Sequence, residues 1–180
     1  RDSSSSRGLW DVYKRQVLIA EISANHNGSI QNAKKLILTA KKNGADIVKL
    51  QTYEPHNMTI KNSKNDFLIK EGLWKGYKLW DLYKAAQTPL HWQKELFDYA
   101  KKIKIPCFST PYDEEGVNLL KKLNSQLYKI SSFEMKDITL VKKICKLKKP
   151  IIISTGLSVL SEINEVFKVA KNSGCKKLIL

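Results

Sequence analysis

Two hydrophobic periodicities alternate along the chain from residue 17 onward. Short, continuous apolar runs are typical of strands buried on both faces of a parallel sheet. The runs predict strands at 17–23, 45–53, 106–112, 127–132 and 150–156, and the start of a sixth at 176–180. Between them, apolar residues recur every three or four positions, which predicts amphipathic helices.

The helices between these runs have sequence features of starts and stops. Gly44 predicts the end of the first helix, a second helix begins near Pro89, Asp113 is a predicted N-cap, and Ser158 opens the last helix. The positions predicted to face inward are Ile30, Ala33, Ile37 and Ala40; Trp92, Leu96, Tyr99, Ala100 and Ile103; Val117, Leu120 and Leu123; Leu140, Val141, Ile144 and Cys145; and Leu160, Ile163, Phe167 and Ala170.

Strands that alternate with helices predict βαβ units and a parallel α/β sheet. The sheet is either a closed barrel or an open doubly wound sheet. We favour the barrel, because the strands are uniformly short, polar residues stand at their carboxyl ends, and the chain has no glycine-rich nucleotide-binding turn. A complete TIM (β/α)8 barrel usually needs about 250 residues. For 180 residues we therefore expect such a barrel truncated after the fifth βα unit and the start of the sixth strand.

One segment, 54–88, is too long for an ordinary strand-to-helix loop. It is rich in aromatic and leucine side chains. They are Trp74, Leu79, Trp80, Leu82 and Tyr83. Long strand-to-helix loops of a barrel lie over its active mouth. This insertion is a candidate lid or substrate wall, although its aromatic residues are equally well explained by packing of the loop onto the barrel.

The net charge of +15 comes mostly from lysines spread along the predicted helices, as on solvated outer faces. We expect no nucleic-acid partner, although a basic binding module stays an alternative. The three cysteines fit no disulfide or zinc framework, and no run of about 18 apolar residues predicts a membrane span. We expect a cytoplasmic protein with a non-native or disordered leader at 1–16 and a synthase-like barrel domain at 17–180.

The polar residues at the strand ends are the candidate site, since the carboxyl ends of parallel barrel strands meet in one ring. Lys49 and Lys129 lie in apolar strands, and such charges need compensation, which a bound anion would supply. The other members are Glu21, Gln51, Ser109, Thr110, Tyr112, Ser131, Ser132, Glu134, Ser154 and Thr155. A structural ion pair for Lys129 and helix capping for Ser154 and Thr155 stay open, and His26 is either a site residue or a turn stabiliser.

Five motifs, in order and spacing, carry a resemblance to a known family. They are EISANHNG, VKLQTY, FSTPYD, YKISSFE and IIISTG. Together they resemble the sialic acid synthase family, whose members condense phosphoenolpyruvate with amino sugars on a TIM barrel. GLWKGYKLWDLYKAAQTPLHW is similar to the branch that makes pseudaminic acid from a 2,4-diacetamido-2,4,6-trideoxyhexose. The N-acetylneuraminate and legionaminate branches, and more distantly another phosphate-binding barrel aldolase, stay alternatives.

The resemblance also implies roles for residues. Phosphoenolpyruvate would be held by Lys49, Thr110, Lys129, Ser132 and Ser154. The sugar would face Gln51 and Tyr112, with Glu21 and Glu134 as catalytic carboxylates. A divalent metal, Mn²⁺ or Mg²⁺, would polarise the sugar aldehyde, with ligands beyond residue 180 and none in this chain. The full-length protein would be a homodimer.

Overall fold

The computed structural model describes residues 16–180, and the predicted leader therefore lies almost wholly outside the described residues. The six strands form one parallel sheet in the order β1-β2-β3-β4-β5-β6. They are β1 Ile19–Glu21, β2 Ile47–Thr52, β3 Cys107–Pro111, β4 Tyr128–Ile130, β5 Ile151–Ile153 and β6 Leu178–Ile179. Strand order that follows chain order is the order of a barrel, whereas a doubly wound sheet reverses at a switch point. The α/β class and the barrel order are confirmed.

Seven α-helices cover the outside of the sheet or lie in its loops within the described residues. They are α1 Ile30–Lys42, α2 Pro55–Met58, α3 Leu79–Ala86, α4 Leu90–Lys102, α5 Glu114–Lys122, α6 Ile138–Cys145 and α7 Leu160–Asn172. The predicted cap at Asp113 is confirmed, because its carboxylate accepts the Gly116 N–H at 2.7 Å. Ser158 is not the cap of α7. Val159 is, and its N–H donates to Glu162 Oε2 at 2.9 Å.

The strand register sorts side chains between the helix-covered face and the inner face of the sheet. In β2, Val48 and Leu50 are buried beneath the helices in one hydrophobic cluster with Ile37, Leu96 and Ala100. Side chains alternate along a strand, so Lys49 and Gln51 point to the opposite, inner face. The residue predicted to matter most is thus placed inward by the same alternation that builds the core.

The second hydrophobic cluster lies between the later strands and α5 to α7, and contains Leu120, Tyr128, Ile144 and Ile151. The inward prediction for α6 is confirmed, since all four of its residues are buried. For α7 it is partly wrong. Val166 and Ala170 are its buried residues, while Leu160 is 73% and Phe167 is 49% exposed. Val166 and Ala170 set the inward stripe, and Phe167 lies roughly 100° around the helix from Val166.

The insertion is partly helical, as predicted. It contains α2, a 3-10 turn at Asn65–Phe67, an antiparallel bridge between Leu68 and Lys78, and α3. Its tip is solvent-facing, with Leu73 93% and Trp74 53% exposed. No described helix is long and apolar enough to cross a membrane.

Candidate active site

The inner face at the carboxyl ends of β1 to β3 brings four predicted residues together on two successive levels of the sheet. Glu21 is paired in register with Lys49, and Gln51 is paired with Thr110. β1 continues this ladder beyond its last residue, because the Ile22 N–H donates to the Lys49 carbonyl at 3.0 Å. Parallel pairing therefore aligns side chains that come from three separate parts of the sequence.

Lys49 is a buried cation, 8% exposed, with two partners in the part of the chain that the structure describes. Its Nζ forms an ion pair with Glu21 Oε2 and donates to Thr110 Oγ1 at 3.4 Å. Thr110 is fully buried, while the side chain of Glu21 is 38% exposed. The carboxylate of Glu21 thus neutralises Lys49 and is the more exposed member of the pair.

Lys129 lies across the mouth from Lys49 on β4. Burial lowers the pKa of Lys129, and the positive charge of Lys49 lowers it further, while Glu21 and Glu134 oppose both effects. Within residues 16–180, Lys129 forms no salt bridge, so the structural ion pair considered for it is not present. The two lysines are close enough for the charge of one to shift the pKa of the other, and of the two only Lys49 has a directly paired carboxylate within the described residues. This arrangement favours the binding of an anion.

Glu134 begins the 3-10 turn Glu134–Lys136 just after β4. Burial raises the pKa of Glu134, although hydrogen bonds from its own N–H and from Ser131 and the charge of Lys129 act against burial. Its Oε2 is buried and has no hydrogen-bond partner in the structure. A carboxyl group held this way can carry a proton nearer to neutral pH than an ordinary glutamate.

Tyr112 joins this group from the end of β3. Burial raises the pKa of Tyr112, a hydrogen bond with Ser131 opposes that effect, and the carboxylates of Glu134 and Glu21 raise it further. Ser131 was named from the sequence only as a strand-end hydroxyl, with no role. Ser131 opposes the effect of burial on the pKa of both Tyr112 and Glu134, and its position one residue before Ser132 gave no sign of this.

Ser132 and Ser154 lie on neighbouring strand ends. The Ser154 N–H donates to the Ile130 carbonyl at 3.0 Å, which extends the β4–β5 ladder into the loop. Ser132 Oγ borders the next turn, since a Cβ placed on Gly156 would lie 3.7 Å from it. Because α7 is capped by Val159, Ser154 and Thr155 are not its caps. Both serines are partly buried, and each follows the last residue of its strand by one or two positions.

Two residues considered for the site have structural roles instead. His26 is 1% exposed, its Nδ1 accepts the Gly28 N–H at 3.1 Å, and its Nε2 lies 3.4 Å from Thr88 Oγ1. Burial lowers the pKa of His26, so the ring is a neutral turn stabiliser. Ser109 points to the helix side, where its hydroxyl lies 2.7 Å from Thr52 Oγ1.

The described residues do not form a metal site by themselves. Among residues 16–180, no group of three or more His, Cys, Asp or Glu side chains could hold a metal ion. Glu21 is engaged with Lys49, and the unpartnered Oε2 of Glu134 would supply a single ligand. Cys107, Cys145 and Cys175 are free thiols and lie on other parts of the fold.

The chain is similar in sequence to known nonulosonic acid synthases. Pseudaminic acid synthase of Campylobacter jejuni is 46% identical over 168 residues, which cover 92% of this chain and 49% of that protein. The N,N'-diacetyllegionaminic acid synthase of the same species is 39% identical over 165 residues, or 91% of this chain and 49% of that protein. The chain spans about half the length of the curated relatives it matches.

A solved structure has the same arrangement of strands and helices. The N-acetylneuraminic acid (sialic acid) synthetase of Leptospira borgpetersenii serovar Hardjo-bovis, in complex with citrate, matches with a TM-score of 0.77 and 25% identity. The match covers 89% of this chain and 52% of that one. The model of the NeuB family, in turn, matches residues 36–180, a range that contains Lys49, Thr110, Lys129 and Glu134. The resemblance found in the five sequence motifs is thereby confirmed, and the chain belongs to the NeuB family.

Proposed function

We propose that the full-length protein carrying this sequence condenses phosphoenolpyruvate with a 2,4-diacetamido-2,4,6-trideoxyhexose to form pseudaminic acid. The observation that carries the proposal is a pair of lysines, Lys49 and Lys129, that point inward at the carboxyl ends of separate strands. Lys49 is buried, and burial lowers the pKa of Lys129. The 46% identical relative named pseudaminic acid synthase supports the choice of product.

Phosphoenolpyruvate is a small substrate with a phosphate and a carboxylate, and it matches a site with two cations. The ammonium groups of Lys49 and Lys129 supply the charge. The hydroxyls of Thr110, Ser132 and Ser154 supply hydrogen bonds to anionic oxygens. A bound anion would offset the repulsion between the two lysines, and this favours anion binding. The bound citrate of the Leptospira synthetase is consistent with a polyanion site in that relative.

The sugar would lie on the acidic side of the mouth. Glu21, Gln51, Tyr112 and Glu134 present carboxylate, amide and phenol groups that suit hydroxyl and acetamido substituents. Glu134, with its raised pKa, is the residue we propose to hold the proton that the aldehyde oxygen requires. In this reaction the methylene carbon of phosphoenolpyruvate bonds to the aldehyde carbon, water adds to the resulting cationic carbon, and phosphate leaves.

A divalent metal, Mn²⁺ or Mg²⁺, stays a prediction, and so does the homodimer. The described residues do not provide a metal site, and no step above requires one from them. These residues would hold the two reactants at bonding distance and balance their charges. They would therefore contribute to catalysis through positioning and electrostatic stabilisation.

The direct test is product formation by the full-length protein. Phosphoenolpyruvate is supplied with the diacetamido sugar, and separately with N-acetylmannosamine, and the nine-carbon acid is identified by mass spectrometry. We expect product with the diacetamido sugar only. Lys49→Ala is expected to abolish turnover, whereas Lys94→Ala, at a surface lysine paired with Asp98, leaves it unchanged. Product from N-acetylmannosamine alone would overturn the assignment.

The 39% identical legionaminic acid synthase makes the isomeric diacetamido sugar a second candidate substrate. Both substrates use the same anion site, so the lysine variants do not separate them. The ratio of kcat/KM for the two isomeric sugars separates these substrates. We expect a preference of at least about tenfold, which corresponds to a difference of about 1.4 kcal/mol in activation free energy.

The lowered pKa of Lys129 favours one other chemistry, a Schiff-base aldolase, because an amine with a lowered pKa is a better nucleophile. Borohydride in the presence of the sugar distinguishes the two. An aldolase would gain a covalent adduct on Lys129, whereas our proposal predicts no adduct and full activity after the reagent is removed.

A further inference from the structure

A chain of three tyrosines connects the insertion to the candidate site. The Tyr53 ring meets Tyr83 of α3 edge to face with centroids 6.1 Å apart, and meets Tyr112 in the same way at 5.4 Å. The Tyr53 hydroxyl also donates to the Tyr83 carbonyl at 3.4 Å. Edge-to-face pairs at these separations are in the favourable range for aromatic rings. Tyr53 is therefore in contact with both the insertion and the residue that faces the sugar.

Tyr53 itself is almost completely buried. It is 4% exposed and follows the end of β2, while Gln51, two positions earlier, is on the inner face. Its ring packs against Tyr112, and the charge of Glu134 acts on the pKa of Tyr112, so the ring of Tyr112 lies between Tyr53 and the carboxyl group proposed to hold the proton. A residue this deeply buried would act on the substrate through the residues that it contacts, Tyr83 and Tyr112.

A second contact fixes the start of the insertion to the same strand end. Asn57 Nδ2 donates to Asp113 Oδ2 at 2.9 Å, and Asn57 Oδ1 accepts the Glu54 N–H at 2.8 Å. Residues 54–57 are thus held in place whatever happens at Tyr53. α3 packs against α2, and Tyr53 adds a direct contact between α3 and the strand end, because its ring and hydroxyl both meet Tyr83.

We propose that Tyr53 is a positioning residue that holds α3 of the insertion and Tyr112 together beside the site, and that this coupling sets the affinity for the sugar rather than for phosphoenolpyruvate. The inference rests on the proposed function. The sugar is the substrate we expect to be affected, because Tyr53 packs against Tyr112, the residue proposed above to face the sugar. Among the described residues, the Tyr53 side chain forms no hydrogen bond with Lys49 or Lys129, which are proposed to hold the anion.

The test uses Tyr53→Leu and the milder Tyr53→Phe in the full-length protein, with KM measured separately for each substrate. Tyr53→Leu removes both ring pairs, and we expect KM for the sugar to rise about tenfold, equivalent to about 1.4 kcal/mol. KM for phosphoenolpyruvate should stay within about twofold of its starting value. Tyr53→Phe keeps the rings and loses only the hydrogen bond, so a smaller rise of about threefold is expected.

Two matched controls accompany these variants. Tyr83→Phe keeps the carbonyl that accepts the Tyr53 hydroxyl and should leave the sugar KM unchanged. Tyr99→Leu makes the same substitution at a partly buried tyrosine of α4, in the outer cluster, and should also leave it unchanged. An unchanged sugar KM in Tyr53→Leu, a parallel rise of both KM values, or the same rise in Tyr99→Leu would overturn the proposal.

Hydrogen–deuterium exchange separates this inference from the proposed function. Even if the protein makes no nine-carbon acid from any sugar, Tyr53→Leu should increase amide exchange across 79–86, while the core strand β2 keeps its protection. Equal exchange at 79–86 in the variant and the unaltered protein would refute the coupling, with or without turnover.

Discussion

Replacing Glu21 with glutamine tests whether this carboxylate neutralises Lys49 in the way that an anionic substrate would. Glu21→Gln keeps the size of the side chain but leaves Lys49, 8% exposed, without a negative partner and beside Lys129. Breaking a buried ion pair costs about 3–5 kcal/mol. The Glu21 side chain is 38% exposed, so solvent screens part of the interaction, and we expect a loss of about 1–2 kcal/mol in the free energy of unfolding.

Added inorganic phosphate should restore much of the free energy of unfolding that Glu21→Gln loses. In the unaltered protein the anion competes with Glu21 for Lys49, whereas in the variant that repulsion is gone. Removing one screened carboxylate near the anion is worth roughly 1 kcal/mol, so phosphate should bind about fivefold more tightly to Glu21→Gln. At saturating phosphate the variant therefore gains about 1 kcal/mol more stability than the unaltered protein does.

The assay is urea unfolding of the full-length protein with and without phosphate, together with calorimetric titration of phosphate. Glu95→Gln is the matched control, because Glu95 also pairs with a lysine, Lys34, but its side chain is 56% exposed. That variant should lose less than about 0.5 kcal/mol and bind phosphate as before. Weaker phosphate binding in Glu21→Gln, or equal stabilisation by phosphate in both proteins, would refute the reasoning.

Three further outcomes are expected. First, because the pKa of Lys129 is lowered, the folded, ligand-free protein releases this proton at lower pH than the unfolded chain does. The free energy of unfolding should therefore rise with pH between the lowered pKa and 10.5. Lys129→Met should remove that rise in urea titrations. Second, phosphate affinity measured by calorimetry should fall as pH rises through the same lowered pKa, since the site loses a cation; affinity that stays constant up to pH 10.5 contradicts this. Third, Thr52→Val should lower the free energy of unfolding by about 1–2 kcal/mol by leaving the buried Ser109 hydroxyl unpaired, and adding Ser109→Ala should recover part of it; additive losses would contradict the pairing.

Much of the candidate site was predictable from the sequence because it depends on alternation along strands. Lys49 and Gln51 are two residues apart in an apolar run, so they must share a face. Parallel βαβ units then bring the ends of successive strands together, and Thr110 and Lys129 follow without any knowledge of distances. The inner placement of these residues is therefore a local property repeated strand by strand.

The predictions from the sequence were wrong or incomplete where a side chain could contact either of two neighbouring segments. Ser109 and Thr110 are adjacent hydroxyl residues at one strand end, and only the register shows that Ser109 faces the helices and meets Thr52. His26 had two readings in the sequence, and its contact with Thr88, distant along the chain, decides for the turn. Phe167 fitted a helical stripe, but docking of α7 through Val166 turned it outward.

The sequence by itself determined the order of strands and helices, the parallel barrel connectivity, the inward direction of the two lysines and the family, because these depend on periodicity within segments and on motifs that follow one another in a fixed order. Only the tertiary structure decided that Lys49 is neutralised by Glu21, that Lys129 has no ion pair within the described residues, and that Tyr53 joins the insertion to Tyr112. These contacts join segments far apart in the chain, and electrostatic and aromatic interactions change sharply over a few ångströms, a distance that no pattern along the sequence specifies.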